Sequence, residues 1–245
     1  MRTLYSYLLW AVIGVLAIAW LPVLAMIFVL TAPFDPGRYA AGRWFRRSAV
    51  AAVKLIPSWD FSTEGVVIED PRRPYVAVAN HESLADIFLL SHLPWEMKWL
   101  SKEAVFRIPI MGWMMRMAGD IAVRRGDRGS RAEALEQIHD RLDKGVTVMI
   151  LPEGTRSPDG RLQRFRNGAF RVAVQRQLPI LPIAVAGTRD AMAKHSPVFH
   201  RARAIARVLE PEETVGLTLD DVPALRDRVR DRIRAARDEL RARLE

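Results

Sequence analysis

Apolar positions open the chain as one long block and later shorten into brief runs set between helical patterns. Between Arg2 and Asp35 no side chain carries a charge. About 20 apolar residues at 1.5 Å each cross a bilayer, whereas the apolar core of a cleaved signal peptide is only about 7 to 15 long. The block therefore predicts a retained membrane element. It is either a spanning helix or, with Pro22 placed to kink it, a helix that enters and leaves one leaflet. Arg38, Arg43, Arg46, Arg47 and Lys54 follow it, against Arg2 before it. If the block spans, that bias puts the rest of the chain on the cytoplasmic side of an inner membrane. From Pro36 to Ile56 the pattern predicts a second helix, in which Tyr39, Trp44, Phe45, Val50, Val53 and Leu55 mix with basic residues. That mixture suits a helix lying in the membrane interface. Residues 1–56 are thus expected to form an N-terminal two-helix anchoring region.

From residue 57 to 245 the alternation of short apolar runs with helical periods predicts an α/β domain: a mixed central sheet flanked by helices. Strands are expected at 65–68, 75–79, 98–101, 121–123, 146–151, 180–185 and 203–208. Helices are expected at 83–93, 110–118, 128–144 and 170–176. In the third of these, Leu135, Ile138 and Leu142 share a face and should be core. Val222, Leu225, Val229, Ile233, Leu240 and Leu244 form another stripe near the C-terminus. There Asp227, Asp231, Asp238, Glu239 and Glu245 interleave with arginines, which favours a packed surface helix over a membrane-binding one.

At 245 residues the chain can hold one sizeable domain with an appendage. It contains no cysteine, so disulfides, thiolate metal sites and a cysteine acyl-enzyme are excluded. The formal charge of +9 favours anionic partners. A nucleic-acid binder would carry a similar charge, but the apolar N-terminus and the lack of zinc-finger or RNP signatures argue against nucleic acid as a partner. His92, His139, His195 and His200 lack the spacing of zinc ligands, so no metal site is expected.

Two motifs carry the chemistry. Asn80-His81-Glu82-Ser83-Leu84-Ala85-Asp86 follows the apolar run Tyr75–Ala79. A histidine oriented by a carboxylate is a general base, one ring nitrogen fixed and the other free to take a proton. On one regular helix a five-residue offset would turn the two side chains roughly 140° apart, at about 100° per residue. His81 is therefore expected in the turn after a strand and Asp86 inside the following helix, whose first N–H groups would face the site. Leu151-Pro152-Glu153-Gly154-Thr155-Arg156 follows a second apolar run, at the strand edge where ligands of α/β sheets collect. Glu153 and Thr155 can bond a polyol, and Arg156 can clamp a phosphate.

Together these motifs resemble the glycerolipid acyltransferase family of the lysophosphatidate acyltransferase type, with its N-H-x4-D and F-P-E-G-T-R blocks. Gly119–Arg125 and Leu178–Ile183 resemble two further blocks in the right order, so the likeness runs from about Val66 to Thr188. The chain departs from the family pattern at Arg124, where aspartate is frequent, and at Leu151, where phenylalanine is. The resemblance implies catalysis by His81 and Asp86. It associates Glu153 and Gly154, with Asn80 and Thr155 in the same blocks, with substrate binding, and Arg125 and Arg156 with the acceptor phosphate. Lys102 and Arg166 are further phosphate candidates. The Met111–Met115 run reads as core or as a wall of an acyl tunnel.

The expected reaction is transfer of an acyl group from acyl-CoA or acyl carrier protein to the free hydroxyl of 1-acyl-glycerol 3-phosphate, giving phosphatidate without a cofactor. Backbone N–H groups near Gly154, or at the start of the helix after His81, are candidates for the oxyanion. Alternatives are another acceptor, such as glycerol 3-phosphate, a lyso-ornithine lipid or another lysolipid; a thioester or phosphoester hydrolase; and a non-catalytic lipid-binding module.

Overall fold

A computed structural model describes residues 2–157, 160–194 and 196–245; the side chain of Arg2 and all of His195 lie outside the described residues. Two helices come first, α1 (Arg2–Thr31) and α2 (Tyr39–Lys54). The strands are β1 (Trp59–Gly65), β2 (Val76–Ala79), β3 (Met97–Lys102), β4 (Ile121–Val123), β5 (Thr147–Ile150), β6 (Ile180–Ala186) and β7 (Ala202–Val208). Between and after them lie α3 (Ala85–Leu90), α4 (Glu103–Phe106), α5 (Met111–Ala118), α6 (Arg128–Asp143), α7 (Gly168–Arg176), α8 (Thr188–Ala191) and α9 (Val222–Leu244).

The seven strands form one sheet in the order β1-β7-β6-β2-β5-β3-β4. Every pairing is parallel except β6 with β7, so the sheet is mixed, as expected. Central β2 and β5 are buried along their whole length, which is why they read as continuous apolar runs. Alternation divides their side chains between two cores. Val76, Val78, Val148 and Ile150 meet α6, α7 and α9, whereas Ala77, Ala79 and Met149 face the side that carries α3. Leu225, Val229, Ile233 and Leu240 of α9 are fully buried, in agreement with a packed helix.

Three expectations change. The first strand is Trp59–Gly65, upstream of residues 65–68. It is an edge strand with alternating burial, so its polar outward positions hid it, while Val66-Val67-Ile68 drew attention as an apolar run. Leu135, expected in the core with Ile138 and Leu142, remains 38% exposed. The basic residues of α2 and of the position before it act largely within the protein. Arg46 pairs with Asp120, Arg43 donates to the Pro94 carbonyl, and Arg38 donates to the Arg116 carbonyl at 2.5 Å. Of the five cations following the apolar block, Arg47 and Lys54 are exposed.

Helix α1 runs through Pro22 without a break and is about 45 Å long at 1.5 Å per residue. It is pinned to the domain near both ends. Ser6 Oγ accepts from Phe199 N–H at 3.0 Å and Trp10 Nε1 donates to the Pro197 carbonyl at 2.8 Å. Farther along, Leu24 is fully buried beside Phe45 and Met114, with Phe28 against the same cluster. Its outer side exposes Leu8, Val15, Ile18, Met26, Val29 and Leu30.

Candidate active site

Strand β2 ends by delivering Asn80 and His81 to the carboxyl edge of the sheet. The Asn80 amide donates to the Val185 carbonyl at 2.9 Å and accepts from Val185 N–H at 2.8 Å, which joins the turn to β6. Asn80 is 1% exposed, so it holds backbone rather than facing an open site. His81 Nδ1 lies 2.7 Å from Asp86 Oδ2. A carboxylate at that distance accepts the Nδ1 proton and leaves Nε2 as the basic nitrogen.

Asp86 is fully buried, and its carboxylate is surrounded by donors. Oδ2 accepts from Glu82 N–H at 2.9 Å and Ser83 N–H at 3.2 Å as well as from His81, while Oδ1 accepts from the Thr188 hydroxyl. Burying a carboxylate is costly unless such donors compensate it. This geometry corrects the expectation for the helix start. Helix α3 begins at Ala85, and the preceding N–H groups turn toward Asp86 rather than toward a substrate. The Gly154 N–H is engaged too, donating to the Leu151 carbonyl at 3.0 Å. The Glu82, Ser83 and Gly154 N–H groups are thus engaged within the turn and the loop.

The second motif grips the first. Glu153 is 4% exposed; its Oε1 accepts from His81 N–H at 2.7 Å and its Oε2 from Gln163 N–H at 2.9 Å. Ser157 N–H donates to the His81 carbonyl at 3.0 Å, so both backbone groups of His81 are held from this loop. Burial pushes the Glu153 carboxyl above its ordinary range, against the pull of those two amides. Glu82, next to His81, is also buried and accepts from Arg241 of α9 at 2.8 Å; burial raises its pKa to about 7.

Gly154 has φ +72°, and a Cβ there would lie 2.9 Å from the Arg166 guanidinium carbon. The glycine thus supplies both a left-handed turn and room for an arginine. His81, Gly154, Lys102, Arg125, Arg131 and Arg166 line a cavity of about 280 Å³, with Leu100, Val123 and Ile150 as apolar wall. Among the described residues, four cations and no carboxylate line this space. The Lys102 pKa is lowered, chiefly by the charge of Arg125 and then by burial, Arg156 and Lys194. Arg125 is lowered by burial and by Arg166. An anion would relieve this mutual repulsion. Thr155 and Arg156 lie outside the lining; the Arg156 carbonyl accepts from Lys194 Nζ at 2.9 Å.

Arg131 was not singled out by its sequence context. It sits in the first turn of α6, behind the Asp127 cap that accepts from Ser130 N–H at 3.0 Å, and reads there as a solvated surface residue. Arg124 pairs with Glu103 at 2.7 Å and Asp127 at 3.4 Å, outside the cavity, so the departure at that position does not alter the cationic lining. On the other side of the sheet a narrow space of about 100 Å³ lies among α1, α2, α3 and α5. Its lining includes Trp10, Phe45, Phe88, Met111 and Met114, which gives the methionine run a place in both core and cavity.

A family model described as Acyltransferase matches residues 62–186, just over half of the chain and spanning both motifs. The chloroplastic 1-acyl-sn-glycerol-3-phosphate acyltransferase LPAT1 of Arabidopsis thaliana is 37% identical over 165 residues, covering 65% of this chain and 45% of the relative. The 1-acyl-sn-glycerol-3-phosphate acyltransferase alpha of Homo sapiens is 37% identical over 162 residues, covering 65% and 57%. The chain thus spans about half the length of the curated relatives it matches. The crystal structure of the 1-acyl-sn-glycerophosphate acyltransferase PlsC from Thermotoga maritima superposes with a TM-score of 0.77 at 25% identity, over 98% of both chains. With the matching fold and the matched motif region, this chain belongs to the acyltransferase family.

Proposed function

We propose that the chain transfers a fatty acyl group from an acyl thioester to the free hydroxyl of 1-acyl-glycerol 3-phosphate, giving phosphatidate. The observation that carries this reading is a single cavity holding the imidazole of His81 beside Lys102, Arg125, Arg131 and Arg166. A phosphate bound by those cations brings its glycerol within reach of the base. His81 Nε2 takes the hydroxyl proton as the oxygen bonds to the thioester carbonyl carbon. The tetrahedral intermediate collapses with cleavage of the carbon–sulfur bond, and His81 returns the proton to the departing thiolate. Asp86 orients the imidazole and stabilises its cation. Asn80 and Glu153 serve as positioning residues, and Gly154 admits Arg166. No cofactor is needed, because the thioester is already activated. Either acyl-CoA or acyl carrier protein can supply it.

Residues 1–56 act as the membrane-docking region. Contacts from Ser6 to Phe28 cover about 33 Å of α1 at 1.5 Å per residue, comparable to the hydrocarbon thickness of a bilayer. A spanning α1 would carry the domain into the hydrocarbon with it. The helix therefore lies along one leaflet, its outer apolar face in lipid, and the basic surface favours an anionic cytoplasmic leaflet.

The test is acyl transfer from each donor to lysophosphatidate in vesicles, with products resolved by mass. His81→Ala should lower turnover about 10²- to 10⁴-fold, the typical contribution of a positioned base. Phosphatidate formed at the native rate by that variant sinks the mechanism. Free fatty acid as sole product replaces it with hydrolysis, and transfer to a different lysolipid corrects the acceptor.

A further inference from the structure

The loop that carries the second motif and the turn that carries His81 share a neighbour outside both motifs, the C-terminal helix. Four arginines of α9 reach them: Arg226 donates to Asn167 Oδ1 at 2.7 Å, Arg230 to the Gln163 carbonyl at 3.0 Å, Arg237 to the Gly160 carbonyl at 3.3 Å and Arg241 to Glu82 Oε1 at 2.8 Å. At about 100° per residue these positions fall within roughly 60° of one another around the helix, so they form one stripe. Leu225, Val229, Ile233 and Leu240 are fully buried, which fixes the helix against the sheet and gives the stripe a rigid mount. The interleaved charges that mark α9 in the sequence as a packed surface helix thus include a face turned to the site.

Arg241 ends this stripe beside the reacting centre. Glu82 is 3% exposed, and its N–H donates to Asp86 Oδ2 at 2.9 Å. The carbonyl of the same peptide, that of His81, accepts from Ser157 N–H at 3.0 Å. The peptide between His81 and Glu82 is therefore held at both of its polar atoms, and Arg241 holds the side chain that leaves it. A Cβ on Gly160 would lie 3.3 Å from Arg241 Nη2, so the same guanidinium lies against the loop. Arg237, one turn earlier, adds its charge at longer range. A buried carboxyl that loses its hydrogen-bonded cation takes up a proton or turns toward water. Either response pulls on the peptide that aims an N–H at Asp86. We propose that Arg241 is a positioning residue that fixes the His81–Asp86 dyad through Glu82, which makes the C-terminal helix part of the catalytic apparatus. The assignment rests on the reading of His81 as the base.

The experiment measures transfer to lysophosphatidate by the full chain in detergent micelles and by Arg241→Gln, Arg241→Lys, Glu82→Gln, the double variant Glu82→Gln/Arg241→Gln and Arg243→Ala. Nitrogen NMR on histidine-labelled protein reports the His81 tautomer, its signal identified by its loss in His81→Ala. Arg241→Gln should lower kcat about tenfold, the scale of one charge-assisted hydrogen bond, while the KM values of donor and acceptor stay. The His81 signal should change from one with the proton on Nδ1 to a mixture. Arg241→Lys should recover part of the loss. In the Glu82→Gln background Arg241→Gln should cost less than it does alone, because the two residues act as one unit. Arg243 makes a comparable pair near the end of the same helix, with Glu64 of β1 at 2.8 Å. Arg243→Ala should keep native kcat even where its unfolding midpoint falls.

Native kcat and a native His81 signal in Arg241→Gln overturn the assignment. So do additive losses in the double variant, or a kcat loss that Arg243→Ala reproduces, since either makes Arg241 a stability contact alone. A kcat loss with an unaltered tautomer removes the dyad from the route and overturns it too. Should Arg241→Gln fail to fold, Arg241→Lys and Glu82→Gln carry the comparison, and native kcat with a native His81 signal in both sinks the proposal. If the native chain transfers nothing to lysophosphatidate yet Arg241→Gln shifts the His81 signal, the acceptor is wrong and the positioning role stands.

Discussion

The turn that carries His81 and the rim that carries Lys102, Arg125 and Arg166 border one cavity and are built on opposite principles. The turn is over-determined: four donors converge on Asp86, and Glu153 and Ser157 hold the His81 backbone from both sides. At the rim, cations crowd together and depress the Lys102 pKa, chiefly through Arg125. A base must present one nitrogen in one direction, so its support is complete before substrate arrives. A phosphate site gains from being incomplete, since the ligand supplies the missing charge.

Substitutions at the two regions should separate these principles. Asp86→Asn is expected to have the largest effect, about 10²-fold or more in turnover with little change in acceptor KM, because it places an amide among donors and frees the imidazole tautomer. Native kcat in that variant would show that the dyad does not orient the base. Glu82 gives a stability readout on the same turn. Its folded pKa of about 7 exceeds the ordinary 4.5, so its contribution is fully present below pH 4.5 and is lost as pH rises through 7. The loss is on the order of 3 kcal/mol, and Glu82→Gln should flatten the pH dependence of the unfolding midpoint. A slope that survives the substitution belongs to another group. The smallest expected effect is at the rim: Arg125→Ala should raise the acceptor KM about tenfold with stability nearly unchanged. Equal damage to acceptor and donor KM would make Arg125 structural.

The sequence made the central strands and both motifs readable because their signals are local. Buried β2 and β5 are apolar runs, and each motif follows one directly. What partners a side chain meets is not local. Asn80 stands next to His81 in sequence and Glu153 belongs to the second motif, and both look like substrate ligands. Their partners, at Val185 and Gln163, become neighbours only when β6 and the loop after β5 fold into place. The same limit hid Arg131, whose role depends on where the start of α6 falls relative to β3 and β5. It also hid the partner of Arg46, which reads as one of the cations of a basic interfacial helix but pairs with buried Asp120.

Helix α1 is fastened at Ser6 and Trp10 as well as at Leu24, so it is no flexible tether. With α1 docked in one leaflet as proposed, the cavity around His81 would stand at a fixed height and tilt above the lipid surface. An enzyme seated that way meets its acceptor by lateral diffusion in two dimensions. Its rate should follow the mole fraction of lysolipid in the surface, and diluting that surface with inert lipid at constant bulk concentration should slow it.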